Sequence, residues 1–175
     1  MNVEYLETDA LSPAQLTEVL ALCTAAYAEP MAQCLADIGP GLHALGRIDG
    51  ALVAHALIVT RHLEVGGHGA LRTAYVELVA TDPGMQRRGH ASALMRALES
   101  RMQDFDLGAL SPSDPVFYAR LGWELWRGPL AVRTPGGLER APADEQLMIR
   151  RLPRTPGSLP PDAPLSVEWR PGEVW

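Results

Sequence analysis

Apolar residues at Leu16, Val19, Leu20, Cys23 and Tyr27 recur at helical spacing and predict a helix. Ser12-Pro13-Ala14-Gln15 marks its start: a capping serine, proline at the first helical position, and glutamine where it can close a capping box. Ala28 to Pro40 is either irregular chain or a weaker second helix. The period then shortens. Leu42 to Ile48 and Ala51 to Glu64 read as strands on either side of Asp49-Gly50, a two-residue hairpin signal. Gly66-Gly67 marks another turn, Ala70 to Ala80 a third strand, and Thr81-Asp82-Pro83-Gly84 a break. Helical spacing returns over Gly89 to Gln103, with Ala91, Leu94, Met95, Leu98 and Met102 on one face. A short strand at Leu107 to Ser111 and a short helix at Pro115 to Leu121 follow, the helix closed by Gly122. Further strands are expected near Leu130 to Arg133, Gln146 to Arg151 and Leu165 to Trp169. This order predicts an α/β (α+β) fold, a mixed sheet with helices on its faces.

The 175 residues suit one domain over 1–175, with a Pro-rich tail from Pro153. No apolar run has the length of a membrane span, and the N-terminal stretch lacks a signal-peptide pattern, so a cytoplasmic protein without membrane partners is expected. The net charge of −6 disfavours nucleic acid, whose phosphates call for cationic side chains, and favours a cationic ligand. Cys23 and Cys34 read as reduced structural thiols without a paired base. The five histidines show no ligand spacing, so no metal is expected. Trp123, Trp126 and Trp169 read as core or dimer-contact residues.

The chemistry concentrates in Tyr75 to Met95. A strand enters a loop holding Gln86, Arg87, Arg88 and Gly89, and a helix begins at once. A helix N-terminus offers unpaired N–H groups and partial positive charge, which suits a phosphate. Gly84 and Gly89 fit neither the dinucleotide fingerprint nor a P-loop. Gln86-Arg87-Arg88-Gly89-His90-Ala91 instead resembles the Q/R-x-x-G-x-G/A signature of the GNAT acetyltransferases. The resemblance implies a mostly antiparallel sheet splayed in the middle. It also implies that the amides of Gln86, Arg87, Arg88, Gly89, His90 and Ala91 hold the pyrophosphate of acetyl-CoA. Leu78, Val79 and Ala80 would supply backbone groups to its pantetheine arm and acetyl carbonyl. Tyr118, in Phe117-Tyr118-Ala119-Arg120-Leu121-Gly122-Trp123, matches the tyrosine that family places near the CoA sulfur.

Further segments resemble the aminoglycoside 2′-N-acetyltransferases within that family: Leu42-His43-Ala44-Leu45, Tyr75-Val76-Glu77, Gly108-Ala109-Leu110-Ser111, Trp126-Arg127-Gly128-Pro129 and the ending Glu168 to Trp175. This resemblance implies an acidic substrate groove reached by the 153–175 tail. Glu77 would act as base through water and Tyr118 as acid. Glu29, Ser111, Asp144, Glu173 and the carboxylate of Trp175 would contact the substrate. Direct attack in a ternary complex and a homodimer are expected. Cys34 stands where that family has an acid, and the stretch from Ser111 to Tyr118 is a little shorter. Fewer acids would suit a less cationic drug such as kasugamycin. Two other readings stay open: a GNAT enzyme for another amine, polyamine or peptide, and a non-catalytic acetyl-CoA-binding regulator.

Overall fold

The computed structural model describes residues 1–175, and close contacts sort them into two units. The first comprises Met1–Val59 and Val76–Arg101, the second Thr60–Tyr75 and Met102–Trp175.

The first unit opens with β1 (Asn2–Glu7) and α1 (Pro13–Tyr27). The capping box of α1 is closed: Ser12 Oγ accepts the Gln15 N–H at 3.2 Å, and Gln15 Oε1 accepts the Ser12 N–H at 3.0 Å. The weak pattern after it is indeed a second helix, α2 (Ala32–Ile38). β2 (Leu42–Ile48) and β3 (Ala51–Val65) form the antiparallel hairpin. Asp49 and Gly50 both take positive φ, 50° and 85°, as a type I′ turn demands. The end of β4 (Gly69–Thr81) from Val76 onward and α3 (His90–Leu98) complete the unit, while β3 from Thr60 and β4 up to Tyr75 belong to the second.

Strand alternation places α1 and α3 on opposite faces of this hairpin. Tyr5 pairs with Ala44 and sends its hydroxyl to Ala97 O of α3 at 2.9 Å. His43 and His55 lie on the other face, where His55 meets Cys23 of α1.

The second unit adds β5 (Leu107–Leu110), α4 (Pro115–Ala119), β6 (Glu124–Leu125), β7 (Leu130–Thr134), β8 (Gly137–Arg140), β9 (Met148–Arg151) and β10 (Leu165–Glu168). Hydrogen bonds order its strands β6-β9-β5-β4-β3-β10-β7-β8. The β4–β5 and β10–β7 pairs are parallel, and antiparallel pairs dominate the rest, which gives a mixed α/β sheet. The β4–β5 pairing covers only Thr73–Tyr75 against Leu107–Ala109.

Three departures have local causes. α3 ends at Leu98 and tightens into a 3₁₀ turn over Glu99–Arg101, yet Met102 stays buried, so its spacing reported burial rather than helix. β1, β6 and β8 were not announced because each is short and largely exposed, with few inward apolar positions. Trp123 and Trp126 are core residues, but Trp169 lies just beyond β10 and is 52% exposed, which corrects its core reading.

Candidate active site

The first unit holds the strand-loop-helix segment. β4 does not run evenly: Leu78 takes a left-handed backbone, φ 49°. Leu78 and Ala80 are buried, while Glu77 and Val79 are half-buried. The Leu78 carbonyl accepts from His55 Nδ1 at 3.0 Å, and the Val79 carbonyl accepts from the Tyr27 hydroxyl at 3.3 Å. Both polar edges of this short stretch are therefore set by side chains from other elements.

After the strand, Asp82 Oδ1 accepts the Gly84 N–H at 2.8 Å, and Gln86 Nε2 donates to Thr81 O at 3.4 Å. Arg87 and Gly89 both have positive φ, 60° and 83°, and Arg87 and Arg88 are exposed. No side chain caps α3, and Ala93 N–H to Gly89 O is its opening bond. The amides ahead of Ala93 thus have no intrahelical partner. Nothing lies within 4 Å of where a Cβ on Gly89 would sit. His90 Nε2 is shut from solvent without a hydrogen-bond partner. An open backbone cradle, free helix amides and an orphaned imidazole nitrogen fit a diphosphate. Glu29 is exposed in the turn between α1 and α2.

The second unit carries an open groove of about 440 Å³ walled by Ser111, Glu139, Glu145, Glu173, Trp169 and Trp175. It thus gathers three of the expected contact residues, Ser111, Glu173 and Trp175. Ser111 Oγ donates to Glu145 Oε1 at 3.2 Å. Burial pushes the Glu145 carboxyl upward, the Ser111 and Gln146 hydrogen bonds oppose this, and the charges of Asp144 and Glu173 add to it. Trp175 is buried with its indole Nε1 unpaired. Asp144 instead lines a neighbouring 290 Å³ groove beside Arg127 and Arg140. The acid that reaches Ser111 is Glu145, the neighbour of Asp144 and a residue the sequence did not single out. Glu139 was missed as well, since β8 carried no sequence signal.

Tyr118 is buried on α4. Burial lifts its phenol to about 12, against a Ser113 hydrogen bond that lowers it, with Asp114 adding to the rise. The hydroxyl therefore stays protonated at neutral pH. Cys23 Sγ lies 3.6 Å from His55 Nδ1, but that nitrogen faces the Leu78 carbonyl at 3.0 Å and so carries a proton, which makes it no base toward the thiol. Burial, and secondarily the charge of Cys34, hold that thiol up at about 12, so it remains a thiol.

This strand, with its left-handed Leu78, and the uncapped helix lie within residues 7–126, which match the model of the acetyltransferase (GNAT) domain. The chain belongs to the GNAT acetyltransferases, and membership makes acetyl-CoA its acyl donor. It is 38% identical over 140 residues to an aminoglycoside 2′-N-acetyltransferase of Mycolicibacterium fortuitum, covering 77% of this chain and 71% of that protein. Solved structures share the fold. The GNAT family N-acetyltransferase YhbS of Escherichia coli, in complex with CoA, superposes with a TM-score of 0.66 at 16% identity, over 94% of this chain and 89% of its own. Eis1 of Mycobacterium abscessus gives 0.63 at 22% identity over 75% of this chain, which spans only 33% of Eis1. No single helix is long and apolar enough to cross a membrane.

Proposed function

We propose that this acetyltransferase acetylates an amino group, the 2′ position, of an aminoglycoside-type antibiotic. What carries the reading is the groove where Ser111, Glu139, Glu145, Glu173 and Trp175 meet. Its acids would hold ammonium groups by Coulomb attraction, and its two tryptophans would cover sugar faces. The 38% identity to an aminoglycoside 2′-N-acetyltransferase supports it.

An amine attacks only after losing its proton. Glu77, half-buried in β4 and flanked by apolar residues, is the proposed base, acting directly or through one water. Acetyl-CoA supplies an activated acyl group. The amides of Gln86 to Ala91 would hold its diphosphate, and the backbone of Leu78, Val79 and Ala80 its arm. The Val79 N–H would stabilise negative charge developing on the reacting carbonyl. A phenol at about 12 releases its proton far less readily than an ordinary thiol near ~8.5, so Tyr118 contributes a hydrogen bond more than a completed transfer. Asp144 and, in the first unit, Glu29 are each proposed contacts for further amines. The enzyme would work in the cytoplasm as a homodimer and protect its host from the drug. Sedimentation should then show twice the 18.9 kDa chain mass.

A thiol-release assay with acetyl-CoA tests the substrate. Gentamicin, tobramycin and kasugamycin should release CoA, while spermidine and peptides should not. A preference for kasugamycin over the polycationic drugs would favour the less cationic substrate. Release with polyamines or peptides alone would move the enzyme to another acceptor. Binding of acetyl-CoA without turnover of any amine would leave a regulator.

A further inference from the structure

A buried chain of four groups ends on the backbone that the proposed mechanism uses. Thr8 Oγ1 lies 3.1 Å from His43 Nε2, His43 Nδ1 lies 3.0 Å from His55 Nε2, and His55 Nδ1 lies 3.0 Å from Leu78 O. Both imidazoles are fully buried. We infer that His43 and His55 are positioning residues for acyl transfer, a paired-imidazole brace that aims the Val79 N–H by gripping the carbonyl of the same peptide unit. The inference deepens the proposed function and rests on its use of the β4 backbone.

The proton positions follow from one end. A carbonyl only accepts, so His55 must carry its proton on Nδ1. Its Nε2 is then an acceptor and requires a proton on His43 Nδ1. His43 Nε2 is left as an acceptor facing the Thr8 hydroxyl, whose oxygen in turn accepts the Gly41 N–H at 2.9 Å. The single Thr8 hydroxyl proton has two acceptors within reach, His43 Nε2 and the Gly41 carbonyl at 3.0 Å; given to His43, it complements every ring nitrogen with both rings neutral. Burial enforces that, lowering both rings, and His55 to about 3. Cys23 of α1 also packs against the pair and is itself held as a neutral thiol.

The link to catalysis is the planarity of the peptide bond. Leu78 C=O and Val79 N–H belong to one plane and point in opposite directions. Fixing the carbonyl on His55 fixes the amide on the far side. The brace is needed because Leu78 is left-handed, a conformation that costs an L-residue about 1–2 kcal/mol and persists only when its surroundings over-determine it. Released from His55, the peptide can rotate toward an ordinary strand geometry, and the donor turns away.

Two measurements decide this. Imidazole ¹⁵N NMR on the ligand-free protein at neutral pH should show both rings as neutral Nδ1–H tautomers. Protonation of His55 at Nε2 instead would overturn the inference without any assay. In the second, His55→Leu removes the donor, whereas His55→Asn keeps an N–H at the position of Nδ1. At saturating substrates His55→Leu should lower kcat by roughly tenfold to a hundredfold, short of the ~10²–10³ lost when an oxyanion donor is removed outright. His55→Asn should recover most of that loss, with the KM of the acceptor unchanged in both. Equal kcat in wild type and His55→Leu would sink the brace. Failure of the wild type to bind CoA by calorimetry would instead sink the reading of the β4 backbone as a cofactor site, whatever the tautomers. If His55→Leu does not fold, the tautomers of the wild type decide.

Discussion

Arg61, on the part of β3 that belongs to the second unit, is only 3% exposed. Its Nε reaches Glu168 Oε1 at 3.3 Å, its two terminal nitrogens donate to Val174 O and Glu168 O, and its guanidinium lies 5.2 Å from the Tyr75 ring centre. Burial lowers its pKa, the charge of Arg170 adds to that, and Glu168 opposes it; the group starts so high that it stays cationic. One side chain thus ties the segment that carries Glu173 and Trp175 to the groove. Arg61→Leu strands two carbonyls and should cost about 2–3 kcal/mol in chemical denaturation, since Glu168 is 39% exposed and the ion pair itself adds little. The same change should raise the KM of the acceptor and leave that of acetyl-CoA alone. Arg61→Lys should restore little, because an ammonium cannot reproduce a fork of donors. Glu77→Gln should lower kcat by roughly 10²–10⁴ in the thiol-release assay. Neither Arg61 nor Glu145 was legible from sequence. Alternation puts Arg61 on the inward face of Leu63, but its partners lie at 168–174, more than a hundred residues on, and Glu145 belongs to a stretch with no periodicity of its own.

Local signals were read most reliably where partners lie within one turn. The Ser12–Gln15 box and the Asp49-Gly50 hairpin need only a few residues, and both are present. Ser12→Ala should cost about 1 kcal/mol, measurable as a lowered denaturation midpoint at constant slope. Gly89 was singled out for close backbone approach and proves left-handed at the head of α3. Gly89→Ala adds a Cβ that meets no protein atom, so its stability cost is conformational, about 1–2 kcal/mol. Its larger effect should be weaker CoA affinity in calorimetry, because that Cβ would occupy the space of the diphosphate. Unchanged affinity would remove the loop from cofactor binding. The strand edges β1, β6 and β8 escaped notice because exposed edges need no hydrophobic stripe. The His43–His55 pair escaped because its meeting depends on the Leu45↔His55 register rather than on spacing along the chain.

Acid should unfold this protein in a way that its carboxylates alone do not explain. His43 and His55 have lowered folded pKa values, while in the unfolded chain each titrates near ~6.5. Between those values the unfolded chain binds more protons, so stability falls as pH drops below about 6.5, each ring contributing up to about 1.4 kcal/mol per pH unit. Urea midpoints from pH 8 to 4 should show this, and His43→Phe should flatten the slope. At the level of topology, the helices, the hairpin and the mixed sheet followed from periodicity, but the place of β10 did not, since four residues after a Pro-rich stretch say nothing about which strands they will join. β10 lies between β3 and β7, antiparallel to one and parallel to the other. A nascent chain that has emerged only as far as Gly157 therefore holds β7 and β8 with the central strand of their arrangement still missing. Vectorial synthesis leaves that hairpin undocked until residues 165–168 clear the ribosome, so assembly of this half of the molecule waits on its last strand, and a ribosome stalled shortly before it should display a protease-sensitive 130–140 segment.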